Sequence, residues 1–159
     1  MTEVHRAYLS LGSNIEAEVN LPKAVQMLGE VGEVKKISSV WESHAVGSDG
    51  PNFLNACVLF LAGVESHLLK EQIIRPIENA LGRVRSADKN APRTIDIDIL
   101  MFDGRPMNVD FWDVAFVAVP LAELIPDFIH PLRNETLRQT SERLSKVTWI
   151  VKREDVVIS

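Results

Sequence analysis

The stretch Gly82-Arg83-Val84-Arg85-Ser86-Ala87-Asp88-Lys89-Asn90-Ala91-Pro92-Arg93-Thr94-Ile95-Asp96-Ile97-Asp98-Ile99-Leu100-Met101-Phe102 sets four cations (Arg83, Arg85, Lys89, Arg93) before an apolar strand that carries two evenly spaced carboxylates. From Thr94 to Leu100 the pattern has period two, so Ile95, Ile97 and Ile99 point to one face and Thr94, Asp96 and Asp98 to the other. At a rise of ~3.3 Å per residue, the Asp96 and Asp98 Cα atoms lie roughly 6.5 Å apart with parallel side chains, a spacing from which both carboxylates reach the same one or two metal ions. Unpaired, the two charges repel by about 3 kcal/mol at an effective dielectric near 20, which a divalent cation or the upstream arginines would offset. Oxygen-only ligands suit Mg²⁺. The planar guanidinium forks suit phosphate. Taken alone, Asp-x-Asp fits equally an exposed strand face with solvated aspartates ahead of an Asp103-Gly104 turn.

Working outward, 159 residues with 46% hydrophobic and 25% charged content describe one soluble domain with a real core. A net charge of −5 argues against a nucleic-acid binder, so the basic cluster reads as a small-ligand phosphate site. The single cysteine, Cys57, excludes an internal disulfide and reads as a buried small hydrophobe. No leader pattern opens the chain and no apolar run reaches the ~20 residues of a membrane span, so the expected location is cytoplasmic, without membrane contact.

Element by element, Ala7–Leu11 reads as a first strand ending at Gly12, with a loop at Ser13 and Asn14. Asn20 reads as the N-cap of a first helix with Pro22 in its first turn, stopping near Gly29–Gly32. Val34–Trp41 reads as a second strand, Glu42–Asn52 as a long loop of the kind that serves as a lid, and Phe53–Leu61 as a third strand. Glu65–Leu81 carries a helical apolar stripe that closes at Gly82, kinked or divided at Pro76. Beyond the Asp-x-Asp strand, the pattern predicts a short strand at Met107–Val109, an apolar segment Phe111–Val119 and a short helix Pro120–Leu124. A turn at His130-Pro131, a last helix Glu135–Leu144 capped by Asn134 and a closing strand Val147–Val151 follow. The order β-α-β-β-α-β, with C-terminal additions, matches a ferredoxin-like α+β fold: a mainly antiparallel sheet with helices on one face.

Gly82-Arg83-Val84-Arg85 and Pro92 to Leu100, with Gly12-Ser13-Asn14 and Phe53-Leu54-Asn55-Ala56 in the same order, resemble the 6-hydroxymethyl-7,8-dihydropterin pyrophosphokinase family over most of the chain to about Asp127. The resemblance implies the same fold in one domain spanning 1–159, a monomer that takes ATP and a reduced pterin as its small-molecule substrates. It implies transfer of the β,γ-pyrophosphoryl group of ATP to the pterin hydroxymethyl group, with release of AMP and two Mg²⁺ ions on Asp96 and Asp98. It assigns catalysis to Arg83, Arg93, Asp96 and Asp98, and nucleotide contacts to Glu78, Arg83, Arg85 and Arg93. Ser43, His44, Val46, Phe53, Asn55 and Phe116 fall to the pterin, its ring stacked between the two phenylalanines. Asn55, interrupting an apolar run, is equally readable as a structural amide that ties down the lid.

The chain departs from the family pattern in two places. A Pro-His motif and an arginine expected before Phe116 are missing from Asn108–Val117, which offers only Asp110 and Asp113 as charged groups, and Asn90-Ala91 replace a tryptophan and glycine. Weaker ATP binding is the expectation. A non-catalytic paralogue that binds a pterin or nucleotide, as a sensor or partner subunit, is the second reading.

Overall fold

The computed structural model describes residues 3–46, 50–83 and 92–158. Among them, one seven-stranded antiparallel sheet runs through β1 (His5–Ser13), β2 (Glu33–Ile37), β3 (Trp41–Ser43), β4 (Phe53–Ala62), β5 (Asp96–Phe102), β6 (Arg105–Pro106) and β7 (Ile150–Lys152). Its order is β6-β5-β1-β4-β3-β7, with β2 also paired to β4. β1 and β4 lie at the centre, and both are buried on both faces, which is why β4, Asn55 apart, reads as an apolar run rather than an alternating one.

On one face, Leu9, Leu11, Val58, Phe60, Ile97 and Ile99 pack against α1 (Ala17–Val31) and the helical segment made of α2 (Ser66–Leu68), a π-helical turn (Leu69–Ile74) and α3 (Arg75–Ala80). The C-terminal additions α4 (Ala115–Leu124) and α5 (Leu137–Ser145) cover the other face over Tyr8, Cys57, Leu59, Leu100 and Met101. The expected α+β frame is therefore present, with both helices of the β-α-β-β-α-β core on one side. Burial pushes the Cys57 thiol far up, as befits an inert core residue.

Several local readings are corrected. α1 begins a turn before Asn20: its first helical bonds are taken by Glu16 O, and Asn20 sits inside the helix donating its Nδ2 to Ile15 O at 2.6 Å. The apolar face continues back to Ala17, and burying it outweighs the capping preference of Asn20. The single strand expected at Val34–Trp41 is two, because Ser38 Oγ replaces a backbone acceptor by taking the Cys57 N–H at 2.8 Å. Ahead of Pro76 the helix widens into the π-helical turn, so that Arg75 N bonds Lys70 O five residues back.

Downstream, Asp103 (φ 49°) and Gly104 (φ 83°) form the expected two-residue hairpin turn. The returning strand is Arg105–Pro106 rather than Met107–Val109, because Asn108 turns left-handed (φ 51°) and leads into a 3₁₀ turn, Val109–Asp113, that buries Trp112. α4 covers the whole of Ala115–Leu124, apolar at every position but Glu123 because it is sandwiched between the sheet and α5. Thr136, not Asn134, caps α5, through a reciprocal capping box with Gln139.

Candidate active site

Strand register builds the floor of a cavity on the α4 face of the sheet. Gly12 lies between Asn55 and Asp96 in adjacent strands, and one step on Ser10 lies between Cys57 and Asp98. An added Cβ at Gly12 would sit 3.3 Å from Asn55 Oδ1 and 3.7 Å from Phe53 Cδ1, so the missing side chain is what leaves room there. The cavity, about 280 Å³, is floored by Ser10, Gly12, Phe53, Asn55, Asp96 and Asp98. Phe116 and Val117 of α4, with Phe111 and Val114, form its roof, and His44, Val46 and Arg93 line its sides.

Asn55 is 2% exposed and donates Nδ2 to Trp41 O (3.1 Å) and to Ser43 Oγ (2.9 Å). The structural role is visible, since its donors tie β3 to β4, and its carbonyl oxygen is the group left toward Gly12 and the cavity. Ser43 itself lies behind that amide rather than on the cavity wall.

At the other end Asp96 is gripped on both oxygens, by Arg83 at 2.8 Å and Arg93 at 2.8 Å. Arg83 also meets Glu78 at 2.6 Å, and the same Glu78 oxygen accepts the Ile97 N–H at 3.0 Å. The helix end explains why Arg83 arrives there. Gly82, at φ 83°, closes α3 with Gly82 N on Asn79 O and Arg83 N on Glu78 O, a paired C-terminal motif that folds Arg83 back over Glu78. Burial works to lower the Arg83 pKa, but Asp96 and Glu78 raise it on balance, so the guanidinium stays charged. Asn14 fixes Arg93 from the far side, with Arg93 N on Asn14 Oδ1 (2.7 Å), Asn14 N on Arg93 O (3.0 Å), and Asn14 Nδ2 on Pro51 O (3.2 Å).

Asp98 differs from its neighbour. Among the described residues no hydrogen bond reaches its carboxylate, and burial, then the charges of Asp96 and Glu78, push its pKa up to about 7 against the pull of Arg83 and Arg93. A half-buried carboxylate with no ion-pair partner among the described residues, beside a second carboxylate and open to a cavity, is a donor set that fits a hard divalent cation.

Thus His44, Val46, Phe53, Asn55, Phe116, Arg93, Asp96 and Asp98 converge on one cavity, with Ser43 and Arg83 immediately behind it. Glu78 is 3% exposed, beneath Arg83 rather than on the cavity wall. Arg85, Lys89, Asn90 and Ala91 lie outside the described residues. Asp113, expected to present a bare anion, is held by Arg133 at 2.7 Å, with His130 Nε2 at 3.0 Å and Arg143 at 3.7 Å; the Arg133 bond keeps its carboxyl below the usual range. Sequence reading gave Ser10 no role, because a single serine in an apolar strand carries no pattern.

Paired carboxylates beside fixed arginines, next to a cavity lined by Phe53, Phe111 and Phe116, have the chemistry of a phosphoryl-transfer enzyme. Comparison with known proteins narrows the class. The family model of 7,8-dihydro-6-hydroxymethylpterin-pyrophosphokinase (HPPK) matches residues 8–126, and the chain belongs to this family of pyrophosphokinases of folate biosynthesis. Relatives named 2-amino-4-hydroxy-6-hydroxymethyldihydropteridine pyrophosphokinase include those of Aquifex aeolicus (34% identical, covering 83% of this chain and 88% of the relative) and Methylorubrum extorquens (36%, 87% and 93%). A solved HPPK-DHPS structure in complex with substrates superposes with a TM-score of 0.69 at 14% identity, over 91% of this chain. The chain spans 44% of that longer protein. A Plasmodium falciparum HPPK-DHPS gives a TM-score of 0.67, over 90% of this chain and 46% of its own. The second reading, a non-catalytic paralogue, is not favoured by these relatives. Among the described residues no helix is long and apolar enough to cross a membrane.

Proposed function

We propose that this chain, as a single monomeric cytoplasmic domain, transfers the β,γ-pyrophosphoryl group of ATP to the hydroxymethyl group of 6-hydroxymethyl-7,8-dihydropterin, with Asp96 and Asp98 holding two Mg²⁺ ions. The observation that carries the reading is the convergence of Phe53, Phe116 and Asn55 with Asp96, Asp98 and Arg93 on one cavity. Phe53 and Phe116, from opposite walls, sandwich the pterin, while Asn55 Oδ1 accepts a hydrogen bond from an N–H of its edge. Bound Mg²⁺ offsets the negative charge of the triphosphate. Arg93, fixed by Asn14, and Arg83, fixed by Glu78, present guanidinium groups to phosphate oxygens, where charge grows on the bridging oxygen as the bond to AMP breaks. Arg85 adds a further phosphate contact, and Glu78 serves the nucleotide side through Arg83. No strong base is required, because positioning and charge neutralisation dominate phosphoryl transfer. AMP release from ATP and the pterin in Mg²⁺ is the direct assay, and absence of AMP would sink the reading.

Phe53→Ala and Phe116→Ala are expected to weaken pterin binding by about two- to tenfold or more while ATP affinity stays level, since stacked rings contribute ~0.5–1.5 kcal/mol beyond area burial. Separate titrations check this; equal losses for both ligands would point to a damaged core. ATP binding itself is expected to be at least about tenfold weaker than in family members that keep the Pro-His and arginine motif, from one or two lost charge-assisted hydrogen bonds. With Asp113 neutralised by Arg133, anionic repulsion adds little to that loss. Calorimetry with a non-hydrolysable ATP analogue and Mg²⁺ measures it.

A further inference from the structure

We infer that Trp149, just ahead of the C-terminal strand, is a positioning residue that sets pterin affinity by holding His44 against the cavity. The inference rests on the pterin reading of the site. β7 pairs antiparallel with β3, with Ser43 opposite Ile150, and the same register carries one step further to place His44 opposite Trp149. The two rings stack at 4.3 Å between centroids and 17° between planes. Trp149 remains 44% exposed, and His44 is its one ring partner among the described residues, so the indole contributes little to the core. The other face of the contact matters more, because His44 lines the cavity.

A second set of contacts ties the same strand to the far end of the loop. His44 Nδ1 lies 3.2 Å from Asn52 Oδ1, so residues flanking the 44–52 loop are pinned to each other. Asn52 Nδ2 donates to Glu42 Oε2 at 2.8 Å, and Arg153, immediately after β7, donates to Glu42 Oε1 at 2.7 Å. Arg153 N also donates to Val40 O at 2.8 Å. The loop base is thus held at its start by Trp149 and at its end, through Glu42, by Arg153. These anchors lie beyond residues 8–126, the part of the chain the family model covers.

Trp149→Ala is expected to raise KM for 6-hydroxymethyl-7,8-dihydropterin about three- to tenfold, with kcat and the ATP KM within about twofold of wild type. Trp149→Phe, which keeps a stacking face, is expected to restore most of the pterin KM, and Trp149→Ala on a His44→Ala background to add little further. Thermal melts accompany each variant. An unchanged pterin KM in Trp149→Ala, or pterin and ATP KM rising together with a fall in Tm, overturns the inference. Pterin titrations of wild type and Trp149→Ala in Mg²⁺ and a non-hydrolysable ATP analogue separate this from the reading beneath it. If wild type binds the pterin without turnover, the pyrophosphokinase reading fails and the comparison of the two affinities still decides the role of Trp149. If wild type does not bind the pterin, both fall.

Discussion

Asp98→Asn is expected to reduce Mg²⁺-dependent turnover by on the order of 10³-fold or more while making the metal-free protein more stable, increasingly so as pH rises from about 4 to 7. The loss of turnover follows from removing an anionic ligand where charge on the triphosphate must be offset. The gain in stability follows from burial. Asp98 holds its proton up to about pH 7 in the folded state, because burial and then Asp96 and Glu78 oppose ionisation, whereas in the unfolded chain it titrates near 3.8. A raised folded pKa contributes stability that is fully present below the unfolded value and is lost as pH rises through the folded one. Asparagine has no proton to lose, so the difference in Tm between variant and wild type in EDTA should be small at pH 4 and large at pH 8. Added Mg²⁺ should close the gap by stabilising only the wild type. Asp96→Asn should instead lower the Tm in EDTA, since it removes the charge that both Arg83 and Arg93 bind. Full turnover in Asp98→Asn would remove the metal-ligand assignment, and a Tm difference independent of pH would remove the account of Asp98 as a carboxylate disfavoured by burial.

The contrast between the two aspartates marks where sequence reading ends. Period-two alternation puts Asp96 and Asp98 on one face and the isoleucines on the other, and both placements hold in the fold because burying Ile95, Ile97 and Ile99 decides the register. Alternation cannot say that, among the described residues, Asp96 meets two arginines while Asp98 pairs with none, since those partners arrive from a helix end and a loop. Gly82 is legible as a stop because only a residue without a side chain takes φ 83° comfortably, yet the return of Arg83 onto Glu78 depends on which carbonyls the turn then reaches. Asn14 is visible as part of a Gly-Ser-Asn turn, whereas its grip on Arg93 spans 79 positions and leaves no local trace. Where the elements differ from expectation, tertiary burial prevails over local preference. Ala17 draws α1 past Asn20, and the apolar sandwich under α5 carries α4 through Pro120. Thr136 is the converse case, a cap legible in principle from Thr-x-x-Gln and obscured by an asparagine two residues earlier.

Arg83→Ala is expected to lower stability by about 3 kcal/mol as well as to impair turnover, because it removes the guanidinium that lies 2.6 Å from the buried Glu78 carboxylate and 2.8 Å from Asp96. Glu78 is 3% exposed, and its Oε2 already accepts the Ile97 N–H, which fixes it beside the strand that bears Asp96 and Asp98. Without Arg83, that carboxylate faces two others across a poorly solvated site. For a chain of this size the cost corresponds to a fall in Tm of roughly 6–12 °C. The structural and chemical parts of the effect can be divided. In Arg83→Ala/Glu78→Gln the buried charge is gone and the amide N–H can still lie near Asp96, so much of the lost Tm should return. Turnover should not, because no guanidinium remains to meet the phosphates. Melts and single-turnover rates on the two variants and on Glu78→Gln alone make the test. Recovery of both stability and rate in the double variant would show that Arg83 acts only by neutralising Glu78, and its place among the catalytic groups would be lost.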